Sequence, residues 1–435
     1  MSHYKPYPAY RDSGVEWIGQ VPEHWQVTPL KVIADTVNGA TPESGKPEYW
    51  DGDIAWYTPT DIDNEVASEL GAPRRYITQA GYESCAVKLS PPGSVILSTR
   101  APIGSVGTTT IPSTINQGCR TLIPAQDVPT SYLASTLVAA REELRLRGNG
   151  TTFQELSTEA LRSLRVPMPP RSECVSIAGG LDRETTRIDA LITKKTRFIE
   201  LLKEKRHALI DHAVTKGLNS EAPIRNSGVE WLGEIPAHWE VRRMASIFRE
   251  AIRPGDQSLP ILSISIHDGI TDEEVAAEDR DRRVSQIEDR TKYKRVAPND
   301  LAYNMMRAWQ GAFGAVTVDG LVSPAYVVAE PMIEFRTAYI ENLLRTPMAI
   351  EEMRRYSRGI ADFRMRLYWD YFRDLKVCLP SLEEQDKILD MITRETSRID
   401  RLTEKTQRSI DLLKERRAAF ITAAVTGQID LRESA

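Results

Sequence analysis

The chain states one pattern twice. Ser13-Gly14-Val15-Glu16-Trp17-Ile18-Gly19 returns as Ser227-Gly228-Val229-Glu230-Trp231-Leu232-Gly233, and the copies continue through Pro22-x-His24-Trp25-x-Val27 and Pro236-x-His238-Trp239-x-Val241, an offset of 214 residues. Residues 183–215 match 394–426 without a gap at offset 211, including Arg-Ile-Asp at 187–189 and 398–400 and Leu-Leu-Lys-Glu at 201–204 and 412–415. A weaker match, at offset 207, joins Arg100-Ala101-x-x-Gly104-x-x-Gly107 to Arg307-Ala308-x-x-Gly311-x-x-Gly314. A period near 210 residues is far too long for a solenoid unit, so it implies two whole modules. Each runs from a Trp motif through a variable segment to a long charged helix. The variable segments, 29–165 and 243–375, differ from each other while their flanks agree. Similar flanks frame two dissimilar segments.

After Pro170 and Pro380 the pattern is helical. Ile177, Ile188, Ile199 and Ile210 form one row at 11-residue steps, with Leu191, Leu202 and Ala213 beside it. The second copy gives Ile388, Ile399, Ile410 and Ile421, with Met391, Leu402, Leu413 and Ala424. A narrow apolar seam on a charged helix is a coiled-coil signature, and an 11-residue repeat makes the pair nearly straight or slightly right-handed. Each helix is expected to span about 40 residues, roughly 60 Å. Ser381-Leu382-Glu383-Glu384 reads as a capping box, and Gly217 and Gly427 as the stops. The seams match between copies, so each helix is the natural partner of the other, in antiparallel sense. The alternative is that each seam packs on its own module.

Composition narrows the function. Lys and Arg number 56 against 61 Asp and Glu, so no global positive field marks a nucleic-acid partner; if the chain binds DNA, its basic groups must be arranged locally. The four cysteines form no CxxC pair, which fits a reducing compartment and argues against a Cys-type zinc site. No apolar run approaches the roughly 20 residues of a membrane span, and residues 1–10 lack a signal-peptide core; a cytoplasmic location without a membrane partner is expected. There is no GxxxxGK[ST], no GxGxxG after a strand, no HExxH and no GxSxG. His24 and His238 sit in the repeated motif, where a structural role outweighs a catalytic one. Trp17, Trp25, Trp231 and Trp239 read as anchors of that motif. No catalytic residues are assigned and no metal ligands.

The variable segments read as mixed α/β, with strands expected at 94–98, 316–318 and 326–328. Arg, Asn, Gln and aromatic side chains on Gly-bearing loops are the groups that contact phosphates and base edges. The candidate DNA contacts are Arg100, Asn116, Gln117, Asn304, Arg307, Gln310, Tyr326, Arg364 and Arg366. Against each stands the plainer reading of a residue that keeps its loop in shape. The second segment also clusters Arg280, Arg282, Arg283, Arg290, Lys292, Lys294 and Arg295, and again Arg354, Arg355, Arg358, Arg364 and Arg366; either cluster also fits a solvated charged surface offset by neighbouring acids.

The whole pattern resembles the specificity-subunit family of type I restriction-modification systems. The resemblance rests on 13–25 and 227–239, on Leu164-Arg165-Val166-Pro167-x-Pro169 and Leu375-Lys376-Val377-x-x-Pro380 running into Glu384-Gln385-x-x-Ile388, and on Thr426-Gly427-Gln428-Ile429-Asp430-Leu431-Arg432. Ser172-Glu173-Cys174 departs from it, lacking the Glu-Gln pair. The resemblance implies an α+β chain with a pseudo-twofold internal repeat: two target recognition domains joined by two long helices in an antiparallel coiled coil. Its expected divisions are a Trp motif at 1–28, recognition domains at 29–165 and 243–375, helices at 166–217 and 376–427, a repeated motif at 218–242 and a tail at 428–435. It implies a non-catalytic subunit that reads a bipartite, asymmetric site on double-stranded DNA. The implied partners are two methyltransferase subunits and restriction-translocase subunits, which would carry S-adenosylmethionine, ATP and Mg; this chain would bind no cofactor. Two rival readings stay open: a methyltransferase or nuclease with drifted motifs, and a coiled-coil adaptor without a DNA role.

Overall fold

The structure is a computed structural model that describes residues 4–62, 68–148, 155–265, 269–271, 289–358 and 365–432. The chain forms two compact units, Met1–Thr196 with Arg408–Ala435, and Arg197–Gln407.

In the first unit the Trp motif is a small hairpin. Tyr10–Asp12 pairs antiparallel with Gln20–Pro22, and Gly14 and Gly19 take positive φ in the connecting turn, where a side chain would be strained. A five-stranded sheet follows, in the order Ala34–Asn38, Cys119–Pro124, Val95–Ser98, Val106–Thr108, Ser68–Glu69. Val95, Ile96 and Leu97 are apolar without alternation because both faces of their strand, Val95–Ser98, are covered. Val95 and Leu97 join the cluster that includes Tyr132 and Leu137, while Ile96 joins Tyr57 and Ile115 on the opposite face. A smaller sheet sets Trp50–Tyr57 between Ser113–Ile115 and Arg75–Ile77. Arg165–Met168 returns to pair with Gln26–Pro29 and leads into the first long helix, Arg171–Lys216.

The start of that helix shares one apolar cluster with the end of the second long helix, Leu382–Val425: Ile177 and Leu181 with Ile421 and Val425. Arg416 Nη2 is 2.9 Å from Glu184 Oε1, and Arg417 Nε is 3.0 Å from Asp189 Oδ1. Within this unit the two helix segments therefore run in opposite directions. The last residues fold back on the first: Tyr10 Oη donates to Gly427 O at 3.0 Å, Gln428 Nε2 to Gln20 O at 2.7 Å, and Asp430 N to Lys5 O at 2.8 Å.

The second unit repeats these relations with its own residues. Ile224–Asn226 pairs with Glu234–Pro236, and Glu240–Arg243 with Lys376–Leu379. Its main sheet has the order Phe248–Glu250, Tyr326–Pro331, Leu301–Asn304, Phe313–Ala315. Leu301 and Tyr303 face one cluster and Ala302 the other. Ala213 and Val214 of the first long helix share a cluster with Ile388 and Ile392 of the second, and Arg206 Nε is 3.5 Å from Asp400 Oδ1. Here too the segments run oppositely. Buried Asp300 is held by Arg253, which also reaches Glu330. Burial pushes the Asp300 carboxyl up, opposed by that guanidinium.

Several expectations are corrected. The strand expected at 316–318 ends at Ala315, since Val316 N turns to Asp300 O. The helices run 46 and 44 residues, longer than about 40. Ile388, Ile399, Ile410 and Ile421 are buried, but Leu191 and Leu402 are 40% and 39% exposed. Thr396, Thr406 and Arg417 are buried in the second helix instead. The capping box is not reciprocal in its side chains: Ser381 Oγ accepts from Glu384 N at 3.4 Å, while the Glu384 carboxylate turns to His238.

Candidate DNA interface

In the second unit one turn gathers most of the candidates. Leu301–Asn304 ends where the Asn304 side chain accepts from Met306 N at 3.0 Å, and Arg307 N donates to Asn304 O at 3.0 Å. A short 3-10 turn, Ala308–Gln310, follows. Gly311, at φ +93°, lets the chain reverse into Phe313–Ala315. Trp309 Nε1 caps the turn by donating to Met306 O at 3.0 Å, and the Arg354 guanidinium stands 5.6 Å from the centre of its ring. Met306, Arg307 and Gln310 are exposed.

Tyr326 sits opposite Asn304 in the sheet register. Burial pushes its phenol up, while bonds to the Ile264 backbone and the Asn304 side chain and the charge of Arg307 pull it down. Leu367 N donates to Met305 O at 2.8 Å, which fixes Arg366 beside the same turn. Arg358 and Arg366 exchange backbone bonds of 2.9 Å each way, and the Arg358 guanidinium lies 4.9 Å from the centre of the Tyr371 ring. The structure thus brings together Asn304, Arg307, Gln310, Tyr326 and Arg366. Arg364 lies outside the described residues, as do Arg280, Arg282 and Arg283. Two cations that the sequence reading did not tie to this turn approach it: Arg354 at Trp309, and Lys294, whose Nζ donates to Tyr326 O at 2.7 Å.

In the first unit Arg100, Asn116 and Gln117 also share a neighbourhood, but a more neutral one. Thr99 N donates to Gly118 O at 2.8 Å. The Asn116 side chain accepts from Gly118 N at 3.0 Å and so holds its own turn. Gly39 passes so close that a Cβ there would lie 1.9 Å from Asn116 O. Gln117 is exposed and accepts from Thr41 Oγ1. Arg100 Nη2 is 3.1 Å from Glu155 Oε2, and Arg120 Nη2 is 3.8 Å from the other oxygen. Arg120 is the residue the sequence reading missed; it bonds Gln117 O at 3.0 Å and Thr158 Oγ1 at 3.0 Å. Desolvation lowers its pKa, with Glu155 opposing.

The two turns differ at one equivalent place. Leu156 N donates to Thr99 O at 2.9 Å, as Leu367 N does to Met305 O. The residue before that leucine is Glu155 in one copy and Arg366 in the other. A carboxylate meets Arg100; Arg366 instead pairs its backbone with Arg358.

The histidines of the Trp motifs have structural partners. His24 Nε2 lies 2.8 Å from Glu173 Oε1, and Trp25 Nε1 donates to Glu173 Oε2 at 2.9 Å. His238 Nε2 lies 2.9 Å from Glu384 Oε2. Trp25, Trp231 and Trp239 are buried, and Trp17 Nε1 donates to Arg165 O at 3.2 Å. A cavity of about 390 Å³ beside His24 is lined by Pro8, Ala9, Glu23, Glu173 and Arg432. Arg432 is committed to Asp430 in a bidentate pair and to the Tyr7 ring, 4.8 Å away. Among the described residues no cluster of His, Cys, Asp or Glu suits a metal, and no helix is long and apolar enough to cross a membrane.

Residues 22–201 match a family model described as the type I restriction modification DNA specificity domain. The chain is 32% identical over 236 residues to the type I restriction enzyme MjaIX specificity subunit of Methanocaldococcus jannaschii, covering 53% of each. It is 26% identical over 206 residues to the EcoR124I/EcoR124II specificity subunit of Escherichia coli, covering 45% of this chain and 49% of that one. The chain thus spans about half the length of these relatives. Among solved structures, the HsdS subunit from Thermoanaerobacter tengcongensis aligns with 94% of this chain and 98% of its own, at a TM-score of 0.53 and 14% identity. A chain solved in work on complex assembly and conformational transition of the type I R-M system aligns with 93% of this chain and 98% of its own, at 0.60 and 15%. At those identities the likeness is one of fold.

Proposed function

We propose that this chain is a type I restriction-modification specificity subunit that reads a bipartite, asymmetric site on double-stranded DNA without a catalytic centre of its own. Residues 29–165 and 243–375 are the two target recognition domains, each reading one half. The long helices, 166–217 and 376–427, pair as an antiparallel coiled coil that sets the gap between the halves. The flanking motifs 1–28 and 218–242 and the tail 428–435 fasten each reader to that frame. Two methyltransferase subunits, and restriction-translocase subunits where present, supply the chemistry together with S-adenosylmethionine, ATP and Mg.

The observation that carries this reading is a shared frame with different contents. His24–Glu173 and His238–Glu384 are the same clasp made from residues at offsets 214 and 211. Between the clasps, equivalent turns present Glu155 in one copy and Arg366 in the other. A duplicated scaffold with divergent exposed turns is what two independent readers require, because phosphate contacts position a protein and base-edge contacts specify.

The test is modularity. Residues 29–165 are replaced by the matching segment of a relative, and methylated adenines are mapped in cells that also carry the methyltransferase subunits. One half of the motif changes and the other stays. A change in both halves together overturns the two-reader proposal.

A further inference from the structure

The second long helix carries a basic stripe that neither its seam nor the candidate turns use. Arg394, Arg398, Arg401 and Lys405 are all exposed, at steps of four, three and four residues. At about 100° per residue they fall within a sector of roughly 60°. The buried Ile392, Ile399 and Thr406 lie on the opposite side of the helix, so the stripe faces away from the seam. The carboxylates Asp390, Glu395 and Glu404 lie outside this sector. Arg394 is 3.2 Å from Glu395 and Arg398 only 3.9 Å. Arg401 bonds a backbone oxygen, Ser397 O, at 3.3 Å, and among the described residues neither it nor Lys405 has a carboxylate within ion-pair distance. Arg398, Arg401, Leu402 and Lys405 line a groove of about 200 Å³.

We infer that this stripe holds the phosphate backbone of the DNA that joins the two half-sites. The inference rests on the DNA reading above: if the helices separate the two readers, the duplex linking their targets runs past the helices. The four cations span eleven steps of helix, about 16 Å. One strand of B-DNA presents a phosphate every 3.4 Å or so along its axis, hence about five phosphates over that length. A row of cations with a single half-exposed leucine suits a polyanion; an amphipathic helix needs an apolar stripe to bury. Such contacts carry no base information, so they add affinity over DNA that the readers do not specify. The first long helix keeps three of the four positions, as Arg183, Arg187 and Lys194, with Ala190 in the place of Arg401. Its Arg187 is 3.6 Å from Glu184.

The test uses the full chain assembled with its methyltransferase subunits and compares it with the triple variant Arg398→Ala, Arg401→Ala, Lys405→Ala. Binding to fluorescent duplexes is titrated across salt concentration. The variant is expected to bind specific and unrelated duplexes more weakly by a similar factor. Its log-log salt slope falls by up to about 2.7, near 0.9 for each phosphate no longer neutralised, and its methylated motif is unchanged. On a duplex cut back to one half-site, variant and parent bind alike. A lysine-for-arginine variant at 398 and 401 keeps the slope. An assembled variant with unaltered affinity and slope overturns the inference. Unaltered DNA slope with weaker assembly also overturns it, and assigns the face to a protein partner. Failure of the parent assembly to bind any DNA instead removes the DNA reading itself.

Discussion

His24 Nε2 stands 2.8 Å from Glu173 Oε1, and that carboxylate, in the first turn of the first long helix, also receives the buried indole of Trp25 at 2.9 Å. The hairpin is thereby fastened to the point where the helix begins, and the negative charge sits where the helix dipole favours it. The second copy keeps the His238–Glu384 contact but not the indole bond, since Trp239 Nε1 has no hydrogen-bond partner. The two clasps are alike in placement and unequal in strength.

Glu173→Ala should therefore cost more stability than Glu384→Ala. The first strands a buried indole as well as an imidazole, worth about 2–3 kcal/mol; the second frees only a half-exposed histidine, about 1 kcal/mol or less. Urea denaturation of the two variants measures the difference. Equal destabilisation would mean that the indole bond adds nothing.

The tail adds a pH dependence. The bidentate bond from Arg432 holds the Asp430 carboxyl below its ordinary value, which burial opposes. A carboxyl with a lower pKa folded than unfolded stabilises above its unfolded value, near 4, and loses that contribution as pH falls through the folded value. Hydrogen exchange at 426–432 should accelerate relative to the rest of the unit as pH drops below about 4, after correction for intrinsic rates. Arg432→Ala should show faster exchange already at neutral pH and little further change with acid. A tail equally protected in both proteins at neutral pH would show that the pair does not hold it.

The paired arginines should not behave alike. Arg100 is offset by Glu155 at 3.1 Å, and Arg307 is exposed at its own turn. Arg307→Ala should weaken binding to every duplex and reduce the salt slope by about one unit, and Arg100→Ala should change it less. Restoring a carboxylate by Arg366→Glu should mimic Arg307→Ala. Matched slopes for Arg100→Ala and Arg307→Ala would remove the distinction.

The parts of this structure legible in the sequence are those set by local spacing. The 11-residue isoleucine rows mark two long helices, and Gly217 and Gly427 end them in positive φ. The parts that were not legible depend on partners far along the chain. Glu155 lies 55 residues from Arg100, and nothing near either residue announces the pair. Glu384 looks like half of a capping box because Ser381 is three residues away; its carboxylate belongs to His238, 146 residues distant. Leu191 and Leu402 fit the seam by their residue type, yet threonines and Arg417 are the buried groups. The same row buries Leu202, Ala213 and Ala424, so residue type alone does not say which of its members are covered.

The proposed role of the helix pair as a ruler can be tested by length. The isoleucine rows at 177–210 and 388–421 keep the same 11-residue phase in both copies, as the proposed pairing requires. Inserting one further 11-residue repeat into each helix lengthens both by roughly 16 Å while the seam stays in register. At about 3.4 Å per base pair, the proposed half-sites should then be read with a longer gap and with their own bases unchanged. The gain is at most about five base pairs, because each reader must also meet its half-site at the right angle around the duplex. Inserting two residues in each helix instead turns the seam by about 200° and should abolish folding or assembly. Methylation mapping reads both outcomes. A folded, active 11-residue variant that keeps the parental gap would mean that something other than the helices sets the spacing.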